Sequence, residues 1–140
     1  MANIIPTAFK TELLSGTHNF ANGGNSFKIA LYTANPYSAS STTYSTSNEV
    51  SSSGTSYSAG GQTLDSQAVA ATSTTGHVDF ADETFSSVTL TAAFAAIYND
   101  TNSDKLCLVL DFGGDKTATN GDFVVQFPTA NASDAIIRIA

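Results

Sequence analysis

The residues able to do acid–base, nucleophilic or metal chemistry are few: two histidines, His18 and His77, one cysteine, Cys107, and twelve carboxylates spread over 140 residues. Serine and threonine fill about a quarter of the positions, so a Ser-His-Asp pairing can be drawn in many ways and identifies nothing. No G-x-S-x-G elbow is present. The nearest stretch, Gly54-Thr55-Ser56-Tyr57-Ser58, lacks the second glycine. Each histidine is read as a surface or turn residue, and one cysteine with two distant histidines gives no zinc-ligand spacing. Cys107 lies in the apolar run Leu106-Cys107-Leu108-Val109-Leu110, which predicts a buried, inert thiol.

Three short stretches invite comparison with ligand loops. Asp100-x-Asn102-x-Asp104 copies the opening of an EF-hand loop, but Lys105 stands where glycine belongs and Asp111 where a bidentate glutamate belongs. It reads as a solvated hairpin turn, with calcium as the rival occupant. Asp111-Phe112-Gly113 spells a kinase magnesium triplet without any other kinase element. Gly113-Gly114-Asp115-Lys116-Thr117 lacks the glycine spacing of a phosphate loop. Asp79, Asp82 and Glu83 form the nearest approach to an acidic cluster, and alternation places them on a solvated face. Two of the twelve carboxylates could meet as a glycosidase pair, but no spacing marks them, and the chain has no Trp for sugar stacking. The expectation is a protein that is not an enzyme and needs no cofactor or metal.

Composition narrows the partners. Five Lys and Arg face twelve Asp and Glu, a formal net charge of −7. Nucleic-acid binding needs cations to displace phosphate counterions, and an acidic surface is repelled by anionic membranes. No apolar stretch approaches the roughly 20 residues of a membrane span. The opening Met1-Ala2-Asn3-Ile4-Ile5-Pro6 lacks the basic and apolar regions of a signal peptide. Synthesis in a cytoplasm is expected, with neither nucleic acid nor membrane as partner.

The elements that must position these residues are mostly strands. Thr and Ser suit pleated surfaces and turns, and the charged share of 12% is too low for a helical bundle. Residues 1–16 hold the one convincing helix, with Pro6 in its first turn, Phe9 and Leu13 at helical spacing and Gly16 as its stop. Phe27, Ile29 and Leu31 alternate with Lys28, Ala30 and Tyr32 in a half-buried strand. Residues 36–61 form a long Ser/Thr-rich loop carrying Tyr37, Tyr44 and Tyr57, read as ordered and packed. Strands are then expected around Thr63-Leu64, Gln67–Ala70, Gly76–Phe80, Glu83–Phe85 and Val88–Tyr98. A turn at Asn99–Asp104 leads to a strand from Leu106 to Phe112. A second turn bracketed by Gly113-Gly114 and Asn120-Gly121 precedes Phe123–Phe127, and Ala135–Ile139 closes the chain. Seven or eight short strands predict a single-domain, mainly β fold over residues 1–140, a β-sandwich or jelly roll with one short N-terminal helix.

Ser47-Asn48-Glu49-Val50, then Gly54, Tyr57 and Ala59-Gly60-Gly61-Gln62-Thr63-Leu64, resembles a signature of small virion proteins of tailed bacteriophages. Ala96-Ile97-Tyr98-Asn99-Asp100 agrees in order and spacing, as do Leu110–Lys116 and Asn120–Phe123. So do the opening Leu13-Leu14-Ser15-Gly16 and Phe27–Tyr32. The likeness covers nearly the whole chain, with residues 49–64 its most specific part. The Val50–Tyr57 segment is longer than the pattern, and Phe80 and Phe127 stand where tryptophan is expected.

The resemblance implies a structural protein of the virion, first of all a capsid decoration (cement) protein on the outside of the major capsid shell. A neck, collar or tail-associated component is the alternative within the particle. A host-surface carbohydrate-binding module is the alternative from another class. Decoration proteins sit at symmetry points, so a homotrimer is expected, with the major capsid protein or another virion protein as partner. The expected contact residues are Phe9 and Leu13 on the helix, and Tyr37, Tyr44, Glu49 and Tyr57 on the long loop, whose tyrosines and hydroxyls suit adaptable recognition. The competing expectations are a loop packed on its own sandwich and a contact through Ala2–Gly16 instead.

Overall fold

A computed structural model describes residues 3–140. Met1 and Ala2, where the signal-peptide reading and the alternative contact segment begin, lie outside the described residues. Helix α1 (Thr7–Leu14) is followed by β1 (Phe27–Tyr32), β2 (Gln62–Thr63), β3 (Ala68–Thr72), β4 (Thr75–Asp79), β5 (Glu83–Asn99), β6 (Lys105–Val125) and β7 (Ile137–Ile139). The strands build two antiparallel sheets, one in the order β2-β1-β5-β6 and one in the order β3-β4-β7. The protein is thus a mainly β sandwich with one short helix. Among the described residues no helix is long and apolar enough to cross a membrane.

Helix α1 ends as its sequence demands. Gly16 takes φ +80°. Its N–H bonds the Leu13 carbonyl at 3.3 Å, and the Thr17 N–H reaches back to Glu12 at 2.9 Å. This is a Schellman stop that satisfies the last carbonyls. Two helical turns do not persist alone. Phe9 anchors them, its ring 4.9 Å from His18 and 6.0 Å from Phe20. Phe20 stacks on Phe27 at 4.3 Å, and Phe80 meets both edge-on before passing to Phe127. Phe80 and Phe127, the two departures from the resembling pattern, therefore close one aromatic chain inside the sandwich.

Two expectations about strands change. Strand β1 is buried on both faces, because Ala30 and Tyr32 are covered as fully as Ile29 and Leu31. The second cover is the 36–61 loop. Its Tyr37 and Tyr44 pack with Ala30, Tyr32, Ala96, Tyr98, Leu106 and Val109 on the side of the larger sheet away from the main core. The loop works as a third layer, held along its middle by the isolated bridges Tyr32–Glu49 and Thr43–Lys105.

The second turn is also absent. Strand β6 runs through Gly113-Gly114 and Asn120-Gly121, paired to β5 along its length. Ala92 faces Lys116 and Phe94 faces Asp111, so residues 112–115 bulge opposite Ala93 alone. Gly113 and Gly114, at φ +80° and +145°, make that bulge possible. A further irregularity lies between the Leu90–Ala118 and Val88–Gly121 pairs. Turn-forming residues are here bends in a long ribbon, because a partner strand of matching length lies beside them.

Candidate functional site

The expected contact residues separate into two groups. Tyr37, Tyr44, Glu49 and Tyr57 come together, and Phe9 with Leu13 lies elsewhere, under the helix.

Glu49 is the hub of the first group. Its Oε1 accepts the Tyr57 hydroxyl and the Gly60 N–H, both at 2.7 Å, and its Oε2 accepts the Tyr44 hydroxyl at 2.5 Å. The Tyr57 oxygen in turn accepts the Leu31 N–H of β1 at 3.0 Å. Tyr37 and Tyr32 share a hydroxyl–hydroxyl bond of 2.6 Å, and Tyr32 donates to the Ser45 carbonyl at 2.7 Å. The Tyr98 hydroxyl donates to the Gly60 carbonyl at 2.6 Å, and its ring stacks on Tyr44 at 4.6 Å. Burial pushes all five phenols above their ordinary value, and the neighbouring Glu49 charge adds to this. Gly61 closes the clamp: a side chain there would meet the Ile29 carbonyl at 1.7 Å, at a backbone φ of +79°. Only glycine lets the loop lie this close on β1.

These placements show what each expected contact residue does within its own chain. Tyr37 and Tyr57 are buried, and the carboxylate of Glu49 is occupied by three donors of its own chain. They fasten the loop to the sandwich, while Tyr44 is half-buried with one face stacked on Tyr98. Phe9 is likewise buried in its own core, and Leu13 is half-buried against that core. Leu14, the last residue of α1, is 88% exposed.

Beneath α1 lies a polar network that the spacing did not announce. His18 lies in the loop after α1 but is buried rather than at the surface. Its Nδ1 accepts the Asn99 amide at 3.0 Å, so Nε2 carries the proton and donates to Glu12 at 3.1 Å. The other oxygen of Glu12 pairs with Lys105 at 3.0 Å. Burial alone would raise the Glu12 carboxyl, but the bonds from His18 and Lys105 outweigh it and hold Glu12 below its ordinary value. Cys107 Sγ stands 3.8 Å from His18 Nδ1, an arrangement that superficially matches a nucleophile and base. Burial pushes the thiol well up, away from thiolate, and Nδ1 is already engaged by Asn99. The network joins α1, β5 and β6; its chemistry is that of a buried tie.

The other stretches resolve into turn chemistry. Asn99 Oδ1 accepts the N–H groups of Thr101 and Asn102, each at 3.1 Å, and the Asn102 amide turns to the Thr17 carbonyl. The Asp100–Asp104 stretch is therefore a hairpin turn tied to the 17–25 loop, with Asn102 presenting a donor inward. Among the described residues no three His, Cys, Asp or Glu gather as a metal site. Asp82 accepts the Phe127 N–H at 2.9 Å, and Glu83 bonds the Gln62 amide. Burial raises Glu83 despite that bond. His77 is buried and meets the Thr72 hydroxyl at 3.0 Å.

Surface remains as the functional material. Leu14 stands out at the end of α1, while Val69 on β3 and Ile139 on β7 are 58% and 59% exposed. Comparison with known protein families, curated proteins and solved structures gives no match.

Proposed function

We propose that the chain is a structural protein of a tailed-bacteriophage particle, a decoration protein seated as a homotrimer on the outside of the major capsid shell. The observation that carries this reading is the behaviour of the resembling block. Glu49, Tyr57, Gly60 and Gly61, distributed over thirteen positions, converge with Tyr98 on one clamp that fixes the long loop to β1. Residues that share a single three-dimensional task form a coherent signature, which supports the resemblance as a whole. An acidic chain of net charge −7 with a rigidly fastened outer layer suits a particle surface facing water.

The carbohydrate-binding alternative loses its main support, because the Tyr37 and Tyr57 rings that would stack on a sugar are turned inward. The test is addition of the purified, tagged chain to particles lacking it. Saturable binding to capsids, with none to isolated tails, is the expected result. Binding confined to necks or tails moves the protein to that part of the particle, and binding to neither rejects the reading.

A further inference from the structure

The smaller sheet leaves part of its inner face uncovered. Val69 pairs with Val78, and Val78 with Ile137, so these three share a face. Gly76 and Ile139 lie on the same face, two pairs further along. Val78 and Ile137 are buried, but Val69 and Ile139 are more than half exposed. A side chain at Gly76 would meet nothing within 4 Å. The cover supplied by α1 and the larger sheet stops short of this end.

Two grooves of about 260 Å³ each meet there and share Leu13, Ile137 and Ile139 as walls. The second runs between α1 and β7 and takes Ile137, Arg138 and Ile139 in succession into its wall. Side chains alone would contribute every other residue of a strand. The groove therefore follows the edge of β7, which pairs with β4 on its other side and, among the described residues, with no strand on this one. Lys10 and Arg138 both line it. The chain has only five Lys and Arg, and neither of these two stands in an ion pair among the described residues. An apolar channel, an open strand edge and two cations coincide on an otherwise acidic protein.

We propose that the groove between α1 and β7 binds an extended segment of another polypeptide, one that alternates apolar side chains with carboxylates. The segment adds to β7 as a further strand. Its apolar residues enter the channel between Leu13, Leu14 and Ile139, and its carboxylates meet Lys10 and Arg138. The positive rim on a chain of net charge −7 selects an acidic occupant and steers it to this edge. This inference stands apart from the virion reading and holds for an acidic extended segment of any origin.

The experiment uses the whole chain, isotopically labelled, and a capped nine-residue peptide of alternating valine and glutamate. The same peptide with lysine in place of glutamate serves as the charge control. The expected result is saturable perturbation of the Ile137, Arg138, Ile139 and Leu14 amides by the glutamate peptide, with at least about tenfold weaker binding of the lysine peptide. Lys10→Glu and Arg138→Glu, both at exposed positions, should each weaken the glutamate peptide severalfold and strengthen the lysine peptide. Binding of neither peptide, equal binding of both, or perturbations elsewhere on the molecule would overturn the proposal. So would sedimentation of the free chain as a dimer whose β7 amides are protected from exchange, since the edge would then belong to a second copy.

Discussion

Alkaline titration strikes at the clamp that fastens the long loop. All five tyrosines of the chain keep their protons above the ordinary phenol range, and four of them, Tyr32, Tyr37, Tyr57 and Tyr98, are buried. Raised folded values mean that the unfolded chain ionises first, so this stability is whole below pH 10 and is lost as pH rises. A phenol of ordinary pKa that stays protonated only when folded lowers stability by about 1.4 kcal/mol at pH 11 and about 2.7 kcal/mol at pH 12. The three held furthest up, Tyr32, Tyr57 and Tyr98, together remove about 4 kcal/mol by pH 11 and about 8 kcal/mol by pH 12. A domain of this size has roughly 5–15 kcal/mol to lose. The chain should therefore stay native past pH 10 and unfold cooperatively between about pH 11 and 12. Near-ultraviolet absorbance of tyrosinate, followed beside far-ultraviolet circular dichroism, gives the readout. The two signals should change together in one steep step. A gradual tyrosinate signal centred near pH 10, with the dichroism of the folded chain intact, would refute the burial of the phenols and the clamp built from them.

Glu49→Ala strands the Tyr44 and Tyr57 hydroxyls and the Gly60 N–H, and chemical denaturation should show a loss of about 3–5 kcal/mol. Replacing Tyr37, Tyr44 and Glu49 together by alanine should consequently give no cooperative unfolding transition in the same measurement. Gly61→Ala forces a side chain into the Ile29 carbonyl at positive φ, and the same measurement should show at least about 3 kcal/mol lost, or no soluble protein. Glu12→Gln keeps an acceptor for His18 but loses the charge facing Lys105, at a cost of about 1 kcal/mol near neutral pH. Because the Glu12 carboxyl is depressed in the folded state, that difference should persist above pH 4.5 and vanish as pH falls through its folded value. Melting temperatures of both proteins across pH 3–7 check the sign.

The pattern of apolar residues made much of the sandwich legible. Strand β1, the helix stop at Gly16 and the Leu106 run stand where their spacing put them. Gly113-Gly114 misled because glycine at positive φ serves a bulge as well as a turn, and only a partner strand decides between them. Alternation also misassigned the second face of β1, since the cover over Ala30 and Tyr32 comes from a loop without periodicity. Glu49 and the tyrosines stood out correctly as anchors, but their direction, inward, depended on which donors surrounded the carboxylate. His18 offered no local signal, because Glu12, Asn99 and Cys107 reach it from three separate elements, with Lys105 behind Glu12. The uncovered groove was illegible for a related reason. Val69 and Ile139 look like ordinary strand residues until the extent of the opposite layer is known.

The central claim is a place on the outer shell of a phage particle, and the copy number per particle tests it most directly. Quantitative mass spectrometry of purified virions, calibrated on the major capsid protein, gives that number. The proposal predicts hundreds of copies in a fixed ratio to the shell protein. A count of about six to eighteen, matching the cyclic symmetry of a neck or tail, would contradict the decoration role, and absence from the particle would contradict the virion reading altogether.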